Sequence, residues 1–330
     1  MSASSRRFLL FHWAPDVPIG PVAFIFPGQG SQTVGMGKEL AGRFPEARAV
    51  FDLADEVLGF ELSRICFEGP VEALNLTANT QPALLACSVA AWSVVRRKGP
   101  VPALVAGHSL GEYSALVAAQ ALDLADAVRI TRRRGEWMQE AVPVGVGSMA
   151  AILGLGEAEV AAICESIDNY IVAPANFNSP GQTVIAGHRQ GVELASRRAI
   201  EQGAARAIPL QVSAPFHCPL MKPAEEKLSA LLKEIGFRDP QMPLVCNVDS
   251  RLVRTGDDAR DCLVRQVSRP VRWLQSVELM ASQGIAEFVE LGPGKILSGL
   301  VKRIARGART IQAESAASVE TLLAAWDTAS

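Results

Sequence analysis

The sequence lacks the features that mark several large classes of protein. No apolar stretch approaches the roughly 20 residues needed to cross a bilayer, so a membrane-embedded protein is not expected. The net charge is only -2 over 330 residues, which gives neither nucleic acid nor an anionic membrane surface a general attraction. Partners must therefore be read from local sites. The six cysteines, Cys66, Cys87, Cys164, Cys218, Cys246 and Cys262, are scattered, with no C-x-x-C and no histidine pair at zinc-finger spacing. Neither a disulfide framework nor a structural metal site is expected from them. Internal repeats and low-complexity tracts are missing too, and there are just four histidines.

What remains is a globular composition, 49% hydrophobic and 20% charged, on a chain long enough for about two domains or one large domain with an insertion. Arg6-Arg7 before the apolar run Phe8 to Trp13 has the outline of a signal peptide. That run is short, contains His12 and leads straight into a first core strand, so residues 1–19 are read as an N-terminal extension and a cytoplasmic location is the expectation.

Val22 to Phe26 is an apolar, β-leaning run that ends in Pro27-Gly28-Gln29-Gly30-Ser31-Gln32, with helical periodicity from about Gly37. Val101 to Ala106, the turn Gly107-His108-Ser109-Leu110-Gly111 and the helix-forming Glu112 to Ala121 repeat that strand, turn, helix order. Such alternation predicts a parallel sheet covered on both faces. Residues 146–212 have another rhythm: strand at Ser148 to Gly154, helix at Glu157 to Ile167, strands at Tyr170 to Asn176 and Gln182 to Gly187, helix at Gly191 to Gln202, strand at Ala205 to Val212. This is β-α-β-β-α-β, a ferredoxin-like small domain inserted at 146–212 into a large α/β domain of residues 20–145 and 213–330. Further strands are expected at Pro243 to Val248 and Glu287 to Leu291.

G-x-S-x-G between a strand and a helix is the setting of a nucleophile elbow, and it makes Ser109 the candidate nucleophile. Without the flanking elements the same five residues would read as a glycine-flanked loop serine. A serine hydroxyl needs a base. His12 lies in the extension, His188 opens a helix, where a solvated or capping role suits it, and the side chain of His108 diverges from that of its neighbour Ser109. His217 remains, on a loop stiffened by Pro215 and Pro219, with a satisfied structural histidine as its alternative reading. Cys218 beside it is read as pointing to the opposite face of an extended segment.

Between a cap at Asp123 and about Ala141 the chain reads as a helix whose stripe contains Ala127, Ile130, Met138 and Ala141, and Arg134 falls on that stripe. Arg132 and Arg133 read as a solvated face, Arg132 pairing with Glu136 four residues on. Arg134, directed inward, needs an anionic or hydrogen-bonding partner.

Phe26 to Gln32, Gly107 to Glu112, Arg134-Gly135 with Met138-Gln139, Asn178 to Gln182 and Glu290 to Lys295 occur in the order seen in malonyl-CoA:acyl carrier protein transacylases, and the chain resembles that family from about residue 21 to about 306. The resemblance implies a hydrolase-like α/β domain with a ferredoxin-like insertion, agreeing with the rhythm above. It implies a Ser109–His217 dyad, Gln266 orienting His217 through its backbone carbonyl, an oxyanion hole from the backbone N–H groups of Gln29 and Leu110, and Arg134 binding the malonyl carboxylate. Phe216 beside His217 resembles the malonyl-type motif, a bulky ring that would crowd an α-methyl group. The expected reaction is ping-pong transfer of malonyl from malonyl-CoA to the phosphopantetheine thiol of acyl carrier protein, supplying fatty-acid synthesis. No metal or organic cofactor is expected, and no nucleic-acid or membrane partner; the expected state is a monomer. Lys302, Arg303, Arg306 and Arg309 form a candidate docking edge for an acidic carrier, or simply an exposed helix end. A serine thioesterase or esterase, a stand-alone acyltransferase serving a polyketide synthase, and a non-enzymatic acyl-binding protein are the alternatives.

Overall fold

The computed structural model describes residues 21–327, so the extension at 1–19 lies outside the described residues. Among the described residues the strands are β1 (Val22–Phe26), β2 (Leu104–Gly107), β3 (Gly147–Leu153), β4 (Val172–Ser179), β5 (Gln182–His188), β6 (Arg206–Pro209), β7 (Leu244–Val245), β8 (Leu252–Val253), β9 (Glu287–Leu291) and β10 (Arg309–Ala313). They form a six-stranded sheet in the order β10-β9-β1-β2-β7-β8 and a four-stranded sheet in the order β4-β5-β3-β6.

β1 shows why an unbroken apolar run becomes a central strand. Ala23 and Ile25 face one core with Trp273, Val277 and Phe288, and Val22, Phe24 and Phe26 face the other with Trp92 and Tyr113. Both faces are covered, so alternation is neither needed nor present. β1 pairs in parallel with β2 and β9. Phe26 lies opposite Gly107 in that register, which sets the turn after β1 beside the turn after β2. The candidate site is built from those two turns.

Two features depart from the sequence reading. The run from Pro243 to Val248 gives only a two-residue β7, because the chain reverses at once and Cys246 N–H donates to Arg251 C=O at 3.1 Å. β8 then returns antiparallel as an edge strand. The sheet is therefore mixed, and the reversal carries Asn247 to the C-terminal end of β2. The second surprise is the nineteen-residue Thr77–Val95 helix, buried at eighteen positions. Being apolar on every side, it carries no period for a sequence reading to detect.

The four-stranded sheet with its helices Glu157–Glu165 and Arg189–Glu201 has the ferredoxin-like order. One face, including Ala150, Ile152 and Ile185, packs on those helices; the other, with Met149, Ala151, Val184 and Ala186, joins the main core. β4 also meets the loop before the Trp273–Ser282 helix, where Phe177 N–H donates to Val271 C=O and Val271 N–H to Ala175 C=O, both at 2.9 Å. Among the described residues no helix is long and apolar enough to cross a membrane.

The Leu124–Glu140 helix starts where expected, with the Asp123 carboxylate accepting from Ala125 N–H at 2.9 Å. It lies against Thr77–Val95 at Gly135, where a Cβ would come within 2.6 Å of the Thr77 carbonyl oxygen. That contact is backbone and cannot rotate away. Gly135→Ala is expected to cost roughly 1–3 kcal/mol through overpacking, seen as a lower midpoint in chemical denaturation. An unchanged midpoint would contradict the close helix approach.

Candidate active site

Ser109 sits at φ 51°, in the left-handed region that L-residues avoid, and holding it there costs of order 1–3 kcal/mol. The glycines around it are forced. A Cβ on Gly107 would lie 1.9 Å from the Gly111 carbonyl carbon, and one on Gly111 would lie 2.0 Å from the Phe26 carbonyl oxygen. The strained turn is pinned by Asn247, whose Oδ1 accepts from Ser109 N–H at 2.6 Å while its Nδ2 donates to Gly107 C=O at 2.7 Å. Gly28 lies so close to the His108 carbonyl oxygen, 2.4 Å for a Cβ, that the 27–30 turn rests on the elbow. Leu110 precedes the Gly111–Ala118 helix. Among the described residues, the backbone N–H groups of Gln29 and Leu110 make no hydrogen bond, as donors reserved for a developing oxyanion would require.

The Ser109 hydroxyl and His217 Nε2 are 2.7 Å apart. On the other side of the ring, Nδ1 lies 2.8 Å from the Gln266 carbonyl oxygen. A carbonyl only accepts, so Nδ1 carries the proton and Nε2 presents a lone pair to the serine O–H. His217 is itself at φ 59°, so its loop turns tightly rather than running extended. The expectation of an extended segment is thus corrected. Cys218 turns away by another route: its thiol donates to Pro215 C=O at 3.1 Å, and burial pushes its pKa up to about 12. Burial first, and the Arg134 charge second, lower the His217 pKa to about 3.

Arg134 is 2% exposed. Its Nη1 donates to Gln81 Oε1 at 2.8 Å, and its Nη2 to Gln266 Oε1 at 2.8 Å and to the Ser109 hydroxyl at 3.2 Å. The guanidinium also stands 5.5 Å from the centroid of the Tyr113 ring. Among the described residues no carboxylate pairs with it. The site thus holds a serine hydroxyl, a neutral base and a cation that has hydrogen-bonding partners but no carboxylate in contact with it.

The structure brings together Ser109, His217, Gln266 and Arg134, with Leu110 and Gln29 flanking and Phe216 buried beside His217. Sequence reasoning missed Gln81 and Asn247. Neither residue carries a signal in its own stretch of sequence. His108 hydrogen-bonds Asn178 Oδ1 at 2.9 Å, tying the small sheet to the elbow. His188 does not cap its helix; its Nδ1 accepts from Ile171 N–H at 3.0 Å. Arg132 pairs with Glu136 at 2.7 Å, as expected, but also bonds Asn79 and lies over the Phe60 ring, so it is packed rather than solvated. In the basic edge, Arg309 pairs with Glu287 at 3.1 Å and Arg303 donates to Gln182 at 2.7 Å. The cysteines are less scattered in space than in sequence: the ligand atoms of Cys246, Asp249 and Cys262 lie within 4.8 Å of one another. The Asp249 carboxylate there already accepts from Arg265 at 2.8 and 2.7 Å.

An elbow serine, an imidazole oriented by a carbonyl and flanking N–H donors in an α/β fold define the class: an enzyme that moves acyl groups through serine chemistry. Comparison with known proteins makes this particular. The acyl transferase domain family matches residues 23–326. The malonyl CoA-acyl carrier protein transacylase of Escherichia coli K12 is 53% identical over 284 residues, 86% of this chain and 92% of that protein. The Bacillus subtilis protein of the same name is 48% identical over 91% of this chain and 95% of its own. Among solved structures, an acyl carrier protein S-malonyltransferase from Vibrio cholerae superposes with a TM-score of 0.89 at 46% identity, covering 91% of this chain and 99% of that one. A malonyl-transacylase solved in complex with a type II polyketide synthase acyl-carrier protein gives 0.90 at 47%, covering 92% and 99%. The chain belongs to the acyl transferase family, among the malonyl-CoA:acyl carrier protein transacylases.

The lowered His217 pKa has a kinetic consequence. An ordinary histidine base protonates near pH 6.5, whereas this one stays neutral until far lower pH. The rate of Ser109 acylation is expected to show no histidine inflection between pH 6 and 7. Stability takes the matching sign: the unfolded chain binds the proton first, so this contribution is present above about pH 6.5 and is lost as pH falls below it. A rate profile halving near pH 6.5 would contradict the buried, neutral imidazole.

Proposed function

We propose that this enzyme transfers a malonyl group from malonyl-CoA to the phosphopantetheine thiol of an acyl carrier protein through a malonyl-Ser109 ester. One observation carries the reading: the buried guanidinium of Arg134 reaches the nucleophilic hydroxyl at 3.2 Å and, among the described residues, forms no ion pair with a carboxylate. An acyl group whose own carboxylate lies one methylene from the reacting carbonyl supplies that missing charge, and the planar fork suits it. A neutral acyl group would leave a buried cation uncompensated.

In the first half-reaction His217 Nε2 takes the Ser109 proton as the oxygen attacks the thioester carbonyl. The backbone N–H groups of Gln29 and Leu110 receive the oxyanion, and CoA leaves as the thiol with the proton returned from His217. In the second, His217 deprotonates the phosphopantetheine thiol, which attacks the serine ester; the proton returns to Ser109 and the malonyl group departs on the carrier. These steps use no metal or organic cofactor of the enzyme's own, and they suit a cytoplasmic monomer acting without nucleic acid or membrane. Phe216 is the residue that favours malonyl over α-methylated groups. Supply to fatty-acid synthesis is the pathway reading, and the solved relative bound to a polyketide carrier favours a second, in which this chain loads a polyketide synthase. Relative rates of loading onto the two kinds of carrier decide between them.

Intact-mass measurement after mixing with malonyl-CoA should show one malonyl group on the wild type, lost on adding carrier protein, and none on Ser109→Ala. Persistent hydrolysis to free malonate at the transfer rate would instead favour a thioesterase. Arg134→Ala should weaken malonyl transfer by roughly 2–5 kcal/mol while leaving acetyl transfer far less affected. Equal losses for the two acyl groups would defeat the clamp. In competition, malonyl-CoA should outpace methylmalonyl-CoA, and Phe216→Ala should narrow the gap.

A further inference from the structure

Glu112 ends the Gly107 to Glu112 run, and nothing in the transfer described above uses it. It is fully buried in the first turn of the Gly111–Ala118 helix, directly behind the nucleophile. Among the described residues no lysine or arginine forms an ion pair with it. A buried carboxyl so placed is costly, and helix packing alone would be served better by an apolar residue.

Its hydrogen bonds show what it does. Glu112 Oε2 accepts from the backbone N–H of Asn247 at 2.9 Å and from Gln266 Nε2 at 2.8 Å. Asn247 is the residue whose carboxamide joins Ser109 N–H to Gly107 C=O across the strained elbow. Gln266 holds His217 through its carbonyl and Arg134 through its Oε1, while its Nε2 also reaches the Ser109 carbonyl at 3.1 Å. Arg134 can only donate and a carboxylate can only accept, so Gln266 between them has a single allowed amide orientation. The reverse flip would set its NH2 against the guanidinium and its oxygen against the carboxylate.

We propose that Glu112 is a positioning residue for acyl transfer: by fixing Asn247 and Gln266 together, one buried carboxyl sets the elbow hydroxyl, the imidazole and the guanidinium. The proposal rests on the reading of Ser109 as the acylated residue. The hydrogen bonds of the Glu112 side chain run to Asn247 and Gln266 and not to the Ser109 hydroxyl. Burial, with Cys246 adding to it, raises its pKa to about 8, against the pull of the two hydrogen bonds and of Arg134; Tyr113 and Cys262 also lie within its field. Protonation does not undo the arrangement, since a proton on the unpartnered Oε1 leaves Oε2 accepting from both donors.

The test compares Ser109 modification by two reagents in single turnover, followed by intact mass: malonyl-CoA, which needs Arg134, and a neutral aryl sulfonyl fluoride, which does not. Glu112→Ala should slow both reactions, by roughly a hundredfold for malonyl-CoA. Glu112→Gln keeps an oxygen facing the two N–H donors and should stay within about fivefold of wild type in both. Arg134→Ala should slow the malonyl reaction far more than the sulfonylation, whereas Glu112→Ala should slow the two alike, which separates positioning of the dyad from loss of the clamp. The proposal is overturned if Glu112→Ala reacts within about threefold of wild type, or if Glu112→Gln is as slow as Glu112→Ala. Should Glu112→Ala lose its circular dichroism signal, Glu112→Met carries the same test, because it keeps most of the side-chain volume and offers no oxygen to the two N–H donors. That variant should be slowed at least about tenfold with both reagents, and a rate within about threefold of wild type would overturn the proposal. A wild type labelled by the sulfonyl fluoride but not by malonyl-CoA would defeat the proposed function while leaving the positioning test intact.

Discussion

A guanidinium that is 2% exposed, and that among the described residues forms no ion pair with a carboxylate, is the constraint around which the site is arranged. Removing a full charge from water is costly unless hydrogen bonds and aromatic faces replace the solvent. Two amide oxygens, from Gln81 and Gln266, a serine hydroxyl and the Tyr113 ring do so here. All are neutral. They hold the cation in one place without cancelling its charge, and the same charge helps keep His217 unprotonated, ready to act as a base.

The rigidity this needs comes from the sheet. Both Ser109 and His217 have left-handed backbone conformations, and such strain persists only where the surroundings over-determine it. At Ser109 the surroundings are the parallel register that sets Phe26 opposite Gly107, the glycine contacts and the carboxamide of Asn247. The small sheet contributes through Asn178 on His108. Its inner face is continuous with the main core, so it braces the elbow from one side.

How much of this was legible in the sequence depended on whether a residue's role was local. Strand–turn–helix context around Ser109, the cap at Asp123 and the βαββαβ rhythm are properties of short windows, and the structure reproduces them within a few residues. Arg134 could be read because a charge on an apolar helical stripe conflicts with its neighbours. His217 emerged because few histidines were available, and the carbonyl role of Gln266 was supplied by family resemblance. Asn247 and Gln81 were beyond reach. Asn247 is delivered by a chain reversal that cuts short an apolar run, and Gln81 by a helix buried on all sides, which shows no period. Neither reversal nor burial leaves a signature within the window where the residue sits. The same holds for Cys246 and Cys262, brought together by packing alone.

The use of a backbone carbonyl, rather than a carboxylate, to orient His217 follows from the same electrostatics. Serine hydrolases commonly place an acid there, where it stabilises the imidazolium that forms during reaction. Gln266 occupies that place here, and its side chain lies 2.8 Å from Arg134 Nη2. An aspartate or glutamate so close would pair with the guanidinium, and an incoming carboxylate would then have to displace it against like-charge repulsion. Glu112 is held behind Gln266, and the hydrogen bonds that link it to the cation run through that neutral amide. On the proposed role of Arg134, acid-assisted base catalysis and recognition of a charged acyl group compete for the same few ångströms, and a neutral amide at 266 is the choice that leaves room for recognition.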